Sequence, residues 1–349
     1  MKISRIRIER LFARFRKIWA DVRGTSGQLY VWDRVDEYHS MWQAVARNLG
    51  AEMTSLADDI WEISLNNKRT RVLNDKLEYD NPVTLVMAGR KHLVYELLGN
   101  GGLRVPEYSL FRLDDLSKAQ AFLREHPRGC VIKPADGTCS GQGVTTHIQT
   151  EKEIRQAAIL ASLYCPDIII EPMIAGECYR LLVLNGEVIH AVCRRGERLR
   201  GDGKLTVAEL IKAEKNALEI DKDCEFNLDY QGLSLESVPE EGQHFLVKSV
   251  TETDRKQVEV RTIYNMDVTD TVGDSLKQEA VRAAEILGCS FVGVDFITVN
   301  AALSLEESGG YINELNTTPG LHHHYGYKEE EYSEVALRVI SPLLQKGSR

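Results

Sequence analysis

Four short segments place charged side chains at the ends of apolar runs, and any fold of this chain has to bring partners to those charges. In chain order they are Val131-Ile132-Lys133-Pro134 running into Asp136-Gly137-Thr138-Cys139-Ser140-Gly141-Gln142-Gly143-Val144, then Glu171 through Arg180, then Val294-Asp295-Phe296, then Ile312-Asn313-Glu314-Leu315-Asn316-Thr317-Thr318-Pro319-Gly320. Lys133 ends an apolar run and is followed by proline, so its backbone is fixed while its amine stays available. A lysine half-buried at a strand end ordinarily needs an anion. In the loop that follows, Gly137, Gly141 and Gly143 let backbone N–H groups come close to phosphate oxygens. A glycine hairpin alone is most often only a turn. No Gly-Lys-Ser/Thr opens a helix here, so the loop is not a Walker A loop and reads instead as a flap between two strands.

Glu314 and Asn316 stand two apart, so a strand points them to one face, and Asp295 lies on the strand candidate before them. Two carboxylates and an amide oxygen are hard ligands suited to Mg²⁺ bridging phosphates. A polar surface hairpin would account for Asp295, but poorly for a polar pair that interrupts an apolar strand just before a tight turn. Arg180 sits between Tyr179 and Leu181, and Arg194 and Arg195 end the next strand-like run. An arginine held on a strand can fork onto phosphate or carboxylate oxygens, though each of these also suits a plain surface. Together the segments supply a lysine and backbone amides for phosphates, an arginine for transferred charge and an acidic triad for magnesium. That combination is an ATP site.

Composition narrows the class. The 349 residues, 43% hydrophobic and 27% charged, suffice for two or three lobes with real cores. A net charge of -9 argues against non-specific nucleic-acid binding, and no apolar run reaches membrane-spanning length. The basic N-terminus lacks the apolar stretch of a secretory signal. Seven scattered cysteines without a CxxC pair read as reduced thiols of a cytoplasmic protein, with Cys139 a small loop residue.

Strands are expected near 29–32, 61–65, 70–73, 130–133, 143–148, 168–171, 179–184, 188–194, 291–299 and 310–315. Helices are expected near 39–49, 90–98, 116–126, 151–164, 206–214 and 274–287. Residues 218–264, with strand-like runs at 245–250 and 258–263, fit either a substrate-covering insertion or an elaborated loop. Residues 2–23 carry Lys2, Arg5, Arg7, Arg10, Arg14, Arg16, Lys17 and Arg23, while Ile6, Leu11, Phe12, Phe15 and Ile18 would form an apolar helix face. Such a helix docks on a partner or an anionic surface, or packs on its own protein, and the last is the expectation.

These motifs in this order resemble the ATP-grasp superfamily over roughly residues 88–325. The nearest likeness is to the ATP-grasp domain of the cyanophycin synthetase branch, with glutathione synthetase and D-alanine–D-alanine ligase more distant. Arg90-Lys91 before Gly102-Leu-Arg-Val-Pro106 is similar to the family's Asp-Lys and Gly-Ile-Pro-Val-Pro stretch. Gly201-Asp202-Gly203, Thr206-Val-Ala-Glu-Leu-Ile211 and Asn216 are similar to a segment of that branch. The implied fold class is α/β, of the α+β kind: an ATP-grasp fold with an N-terminal pre-ATP-grasp-like α/β lobe. The implied divisions are a basic helix over 1–27, the α/β lobe over 28–88, a small subdomain with the flap over 89–170, and a subdomain with the metal and substrate site over 171–349.

Carried over, the resemblance implies that Lys91 and Lys133 contact ATP phosphates, with Lys133 also near the adenine. Glu171 to Ile174, including Met173, would be the linker at the adenine edge. The loop with Gly137, Ser140, Gly141 and Gly143 would close over the phosphates. Asp295, Glu314 and Asn316 would hold Mg²⁺, or Mn²⁺ in its place. Arg180 and Arg194 would act in catalysis by stabilising phosphate and carboxylate charge. Arg195, Asp202, Gly203, Gly320 and His324 would border the substrate. Three departures stand out: Cys178 where relatives place a ribose-binding acid, with Glu177 beside it as the substitute; Arg90 where they have Asp; and Arg194-Arg195-Gly196-Glu197 where they have Arg-x-Pro. The Mur-ligase-like C-terminal domain of cyanophycin synthetase has no counterpart in this sequence.

The reaction implied is ATP-dependent joining of a carboxylate to an amine through an acyl phosphate, with ADP and phosphate released. The substrates implied are amino acids or short peptides. Two other readings stay open: a non-catalytic ATP-binding regulator or scaffold, and a ligase with a non-amine acceptor. His322, His323 and His324 follow the metal strand and read as structural or substrate-edge residues, since three adjacent histidines cannot all face one ion on a regular strand. Relatives are commonly dimers or tetramers, which makes a homodimer one expectation; no nucleic-acid partner is expected.

Overall fold

A computed structural model describes residues 5–22, 35–137, 141–214, 228–229, 231–248, 264–324 and 329–345. The expected strands at 29–32 and 258–263 lie outside the described residues, as do Thr138, Cys139, Ser140 and Asn216. Helix α1 (Arg5–Val22) comes first, and α2 (Val35–Leu49) ends at Gly50, whose φ of +65° is the left-handed stop the sequence indicated. A four-stranded antiparallel meander follows: β1 (Glu52–Ala57), β2 (Ile60–Leu65), β3 (Lys68–Leu73) and β4 (Lys76–Leu77). Asn66 and Asn67, at φ 51° and 64°, form the reverse turn between β2 and β3. The sequence reading found β2 and β3 but not their neighbours, because β1 has no alternating burial to read.

Two helices then run in tandem, α3 (Pro82–Gly89) and α4 (Lys91–Asn100). The first was not expected; the Asn81 side chain caps it by accepting from the Val83 and Thr84 N–H groups. The second sheet is built from β5 (Ser109–Arg112), α5 (Ser117–Glu125), β6 (Cys130–Pro134), β7 (Thr145–Ile148), α6 (Glu151–Ala161) and β8 (Asp167–Pro172), with strand order β5-β8-β6-β7. A capping box between Thr150 and Glu153 starts α6, and Phe111, Phe122, Ile132, Ile154 and Ile170 fill the core beneath.

The rest of the chain supplies β9 (Glu177–Leu184), β10 (Glu187–Arg195), β11 (Glu197–Arg200), α7 (Val207–Ala213), β12 (His244–Lys248), β13 (Tyr264–Asp267), α8 (Asp274–Leu287), β14 (Phe291–Thr298), α9 (Leu305–Ser308), β15 (Tyr311–Asn316) and α10 (Glu329–Gln345). Five of these strands form a sheet of order β13-β10-β9-β14-β15. Its two faces differ because side chains alternate. Leu181, Val183, Val294, Phe296 and Leu315 pack with α4 and α8 in one core. Leu182, Leu184 and Phe291 face the other way and share a core with Trp42, Trp61, Val339 and Ile340, from α2, the meander and α10. Separately, β11 and β12 form a two-stranded ribbon packed on α7 through Leu199, Val207, Ile211, Phe245 and Val247.

Helix α1 does pack on its own protein, against α6, but with the opposite face to the one expected. Leu11, Phe12, Phe15 and Ile18 are exposed, while Ile6 is partly buried. The described cysteines, Cys130, Cys165, Cys178, Cys193 and Cys289, form no disulfide.

Candidate active site

The site begins as a row of charge across three strands. Arg180 on β9 is the register partner of Asp295 on β14, which is the partner of Glu314 on β15. Directly opposed residues of antiparallel strands share a face, so the three lie side by side. Asn316 joins them two residues beyond Glu314. Arg194 enters from β10, two residues beyond Val192, the β10 partner of Arg180. Gly293 leaves room for this arrangement, since a Cβ there would stand 3.2 Å from Arg180 Cδ.

Arg180 grips Asp295 in a fork, Nε to Oδ1 at 2.6 Å and Nη2 to Oδ2 at 2.7 Å. Arg194 Nη1 lies 3.9 Å from Asp295 Oδ2, and Asn316 Nδ2 donates to the same oxygen at 3.3 Å. Burial works against the Arg180 charge, but Asp295 more than offsets it and holds the guanidinium above its ordinary range. Arg194 goes the other way: burial first, then the Arg180 guanidinium, pushes it down.

Two lysines approach from the glycine-loop side. Lys91 opens α4, whose first turn is tied to the end of β6 by the Lys91 N–H donating to the Ala135 carbonyl at 3.0 Å. Its ammonium lies 3.1 Å from Glu314 Oε1. Burial alone would raise the Glu314 carboxyl, yet Lys91 and Lys133 hold it below the usual carboxylate range. Lys133 and Glu171 are both buried and stand 2.7 Å apart, so the anion that the lysine demands is supplied by the chain itself.

Sequence reasoning missed two members of this network. The buried Tyr95 hydroxyl accepts from Lys133 at 2.9 Å and lies 2.8 Å from the Asn313 carbonyl and 3.1 Å from Glu171 Oε2. Asn313 Oδ1 accepts from Lys133 at 3.3 Å. Tyr95 was findable, because it follows Lys91 by four residues and so shares its helix face. Asn313 was not. It is the extra residue of a β-bulge, between the pairs Asp295–Glu314 and Phe296–Ile312, and the bulge aims its amide at Lys133.

Mg²⁺ fits the donor set. Asp295, Glu314 and Asn316 stand together on one face; Arg180 and Asn316 hold the Asp295 oxygens, and Glu314 is held below the usual carboxylate range, the ionised form a metal needs. Among the described residues no cluster of three His, Cys, Asp or Glu side chains forms an all-protein metal cage. Mg²⁺ needs none, since it ordinarily takes one or two carboxylates plus phosphate oxygens.

The remaining expected residues are more dispersed. Gly137, Gly141 and Gly143 have φ of 73°, 76° and 75°, and a Cβ on Gly143 would meet the Tyr164 ring at 2.8 Å. Met173 and Ile174 are half-buried, and the Met173 N–H donates to the Gly129 carbonyl at 2.9 Å. Glu177 is paired with Arg198 at 2.5 Å. Cys178 is a neutral thiol, pushed up to about 12 by burial and then by Asp295. Arg195 is exposed and alternates to the other face from Arg194. Asp202 Oδ1 accepts from the Lys204 and Leu205 N–H groups at 2.9 and 2.8 Å, closing a turn within its own loop. Gly203, at φ +70°, lies in that turn.

Gly320 leads into a 3₁₀ turn over Leu321–His323, and its own Cβ would clash with the His322 ring at 2.5 Å. The His322 and His323 rings stay in contact, with centroids 3.9 Å apart, but the three histidines take different hydrogen-bond partners. His322 Nδ1 meets the Tyr38 hydroxyl at 2.8 Å and His323 Nδ1 meets Asn265 Nδ2 at 3.4 Å. His324 is 1% exposed, with Nδ1 3.2 Å from Nδ1 of His190 and no hydrogen-bond partner on Nε2.

A five-stranded antiparallel sheet bearing a charged row, closed from one side by a second antiparallel sheet with a glycine hairpin, is the ATP-grasp architecture, and the chain has that fold. Its curated relatives include the cyanophycin synthetase of Nostoc sp., 29% identical over 74% of this chain and 29% of that protein. They also include the glutathione biosynthesis bifunctional protein GshAB of Listeria innocua, 25% identical over 87% of this chain and 41% of that protein. Among solved structures, a bifunctional glutathione synthetase from Pasteurella multocida aligns with a TM-score of 0.57 and 22% identity, covering 88% of this chain and 44% of that one. The chain thus spans less than half the length of each. No protein-family model matches it.

Proposed function

We propose that this chain is an ATP-dependent carboxylate–amine ligase that works through an acyl phosphate. The observation that carries the reading is the row Arg180–Asp295–Glu314 met from the glycine-loop side by Lys91 and Lys133. Four basic side chains, Lys91, Lys133, Arg180 and Arg194, face three carboxylates, Glu171, Asp295 and Glu314. The cluster therefore suits a polyanion accompanied by a cation.

In this reading Lys91 and Lys133 hold ATP phosphates, and the linker from Glu171 to Ile174 meets the adenine. Asp295, Glu314 and Asn316 hold Mg²⁺, which when bound neutralises phosphate oxygens. Arg180 and Arg194 stabilise charge on the transferred phosphoryl group and the substrate carboxylate. The hairpin with Gly137, Ser140, Gly141 and Gly143 excludes water, which protects an acyl phosphate from hydrolysis. Glu177 is the candidate for the ribose, once released from Arg198. Arg195, Asp202, Gly203, Gly320 and His324 border the acceptor side. The substrates proposed are an amino acid or short peptide on each side, and the assembly proposed is a homodimer.

The test is ADP and phosphate release with Mg-ATP against pooled amino acids and small carboxylates, with mass-spectrometric search for condensed products. Turnover that needs a carboxylate–amine pair and disappears in Glu314→Ala supports the ligase. AMP and pyrophosphate as products would sink the acyl-phosphate route. ATP binding with no condensation in any pool would favour a non-catalytic binder.

A further inference from the structure

Helix α1 is held by its polar stripe and turns its apolar stripe to water. Its partly buried residues are Ile6, Glu9, Arg10, Ala13 and Lys17, a spacing of three and four that marks a single side. Polar contacts fasten that side to α6 and the turn after it. Glu9 Oε2 lies 2.7 Å from Arg155 Nη2, Arg10 Nη2 donates to the Ser162 carbonyl at 2.8 Å, and the Lys17 ammonium sits 5.1 Å from the Tyr164 ring centre.

The opposite side is apolar and large. Ile8 is 43% exposed, Leu11 54%, Phe12 63%, Phe15 61%, Ile18 50% and Trp19 59%. At the helical period these residues cover an arc of roughly 120°. Exposed Arg5 and Arg16 border one edge of the arc, and exposed Arg7 and Arg14 border the other. An aromatic and aliphatic stripe with arginine on both margins matches the interface of an anionic bilayer. Apolar side chains enter the acyl boundary while guanidinium groups reach the lipid phosphates.

Charge points the same way. The whole chain carries a net charge of -9, so an anionic surface repels the molecule overall and favours approach through a basic element. A second copy of α1 laid on the first would set arginine margins against each other. A nucleic acid would meet the arginines but leave the stripe in water. No helix among the described residues is long and apolar enough to cross a membrane.

We propose that α1 docks this protein onto an anionic membrane surface, lying in the plane of the interface with Phe12 and Phe15 at its centre. The proposal does not rest on the ligase reading. It is tested by co-sedimentation of the full chain with phosphatidylcholine vesicles, with and without phosphatidylglycerol, in the absence of nucleotide. The expected result is at least about tenfold more bound protein on the anionic vesicles, lost at high salt. Phe12→Glu with Phe15→Glu removes binding, as does Arg7→Gln with Arg14→Gln and Arg16→Gln. Both variants keep the parent's thermal melting, since they alter only exposed positions. Equal binding to neutral vesicles, or none to either, overturns the proposal. So does a dimer seen in sedimentation velocity that the phenylalanine variant dissolves, which would give the face to a second copy. RNA binding that survives that variant overturns it as well.

Discussion

Asp295 carries the most at the scale of single residues. Its carboxylate is the counter-charge shared by two guanidinium groups, forking with Arg180 and lying near Arg194, and it accepts from Asn316. Asp295→Asn keeps the shape and removes the charge, leaving Arg180 buried at 6% exposure beside Arg194. Loss of one partner of a buried pair costs about 3–5 kcal/mol. Chemical denaturation should show a loss of that order, and ATP turnover should vanish with it. A stability change below about 1 kcal/mol would mean that solvent already screens the pair. The residues of this row were legible because charges that interrupt apolar strands are few and conspicuous. Asn313 was illegible because a bulge depends on the register between two strands, which a single strand's sequence does not carry.

Among elements, the ribbon of β11 and β12 with α7 stands apart in its packing. It has its own small core, and the α7 start depends on a capping box in which Thr206 Oγ1 accepts from the Glu209 N–H and Glu209 accepts from the Thr206 N–H. Thr206→Ala should cost about 1 kcal/mol, the usual value of such a cap. Hydrogen exchange should localise the loss, with faster exchange over 197–213 and unchanged rates in β9 and β14. Uniform acceleration would show instead that the ribbon is coupled to the large sheet. Its helix was readable from the cap signature, whereas β11 was not, because its four residues find their partner more than forty positions away. Helix α1 teaches a related lesson. Its amphipathic pattern was plain, yet which stripe it turns to the protein was set by Ser162, Arg155 and Tyr164, all on other parts of the chain.

Over the whole molecule, a group of three histidines, His324 buried and His190 and His323 half-buried, ties stability to pH, and His147 adds to it because burial lowers it too. Burial lowers His190; burial, then His322 and Arg194, lowers His323; and burial, then His190 and Arg180, lowers His324. Unfolded, each would take a proton near about pH 6.5. Below that value the unfolded chain binds more protons than the folded one, so stability present at neutral pH is lost as pH falls. Melting temperature should hold steady above about pH 7 and drop between about pH 6.5 and 5. His323→Asn should flatten that drop; an unchanged slope would assign it to other groups. The sequence by itself determined the apolar strands, the glycine hairpin and the ordered charges that suit an ATP-grasp fold, because alternation and turn chemistry are local. Only the tertiary structure decided which charge meets which: that Glu171 answers Lys133, that three adjacent histidines take Tyr38, Asn265 and His190 as separate partners, and that α1 shows its apolar side to water. Those pairings join residues far apart in sequence, and the energy that selects them exists only once the strands are in register and the faces are packed.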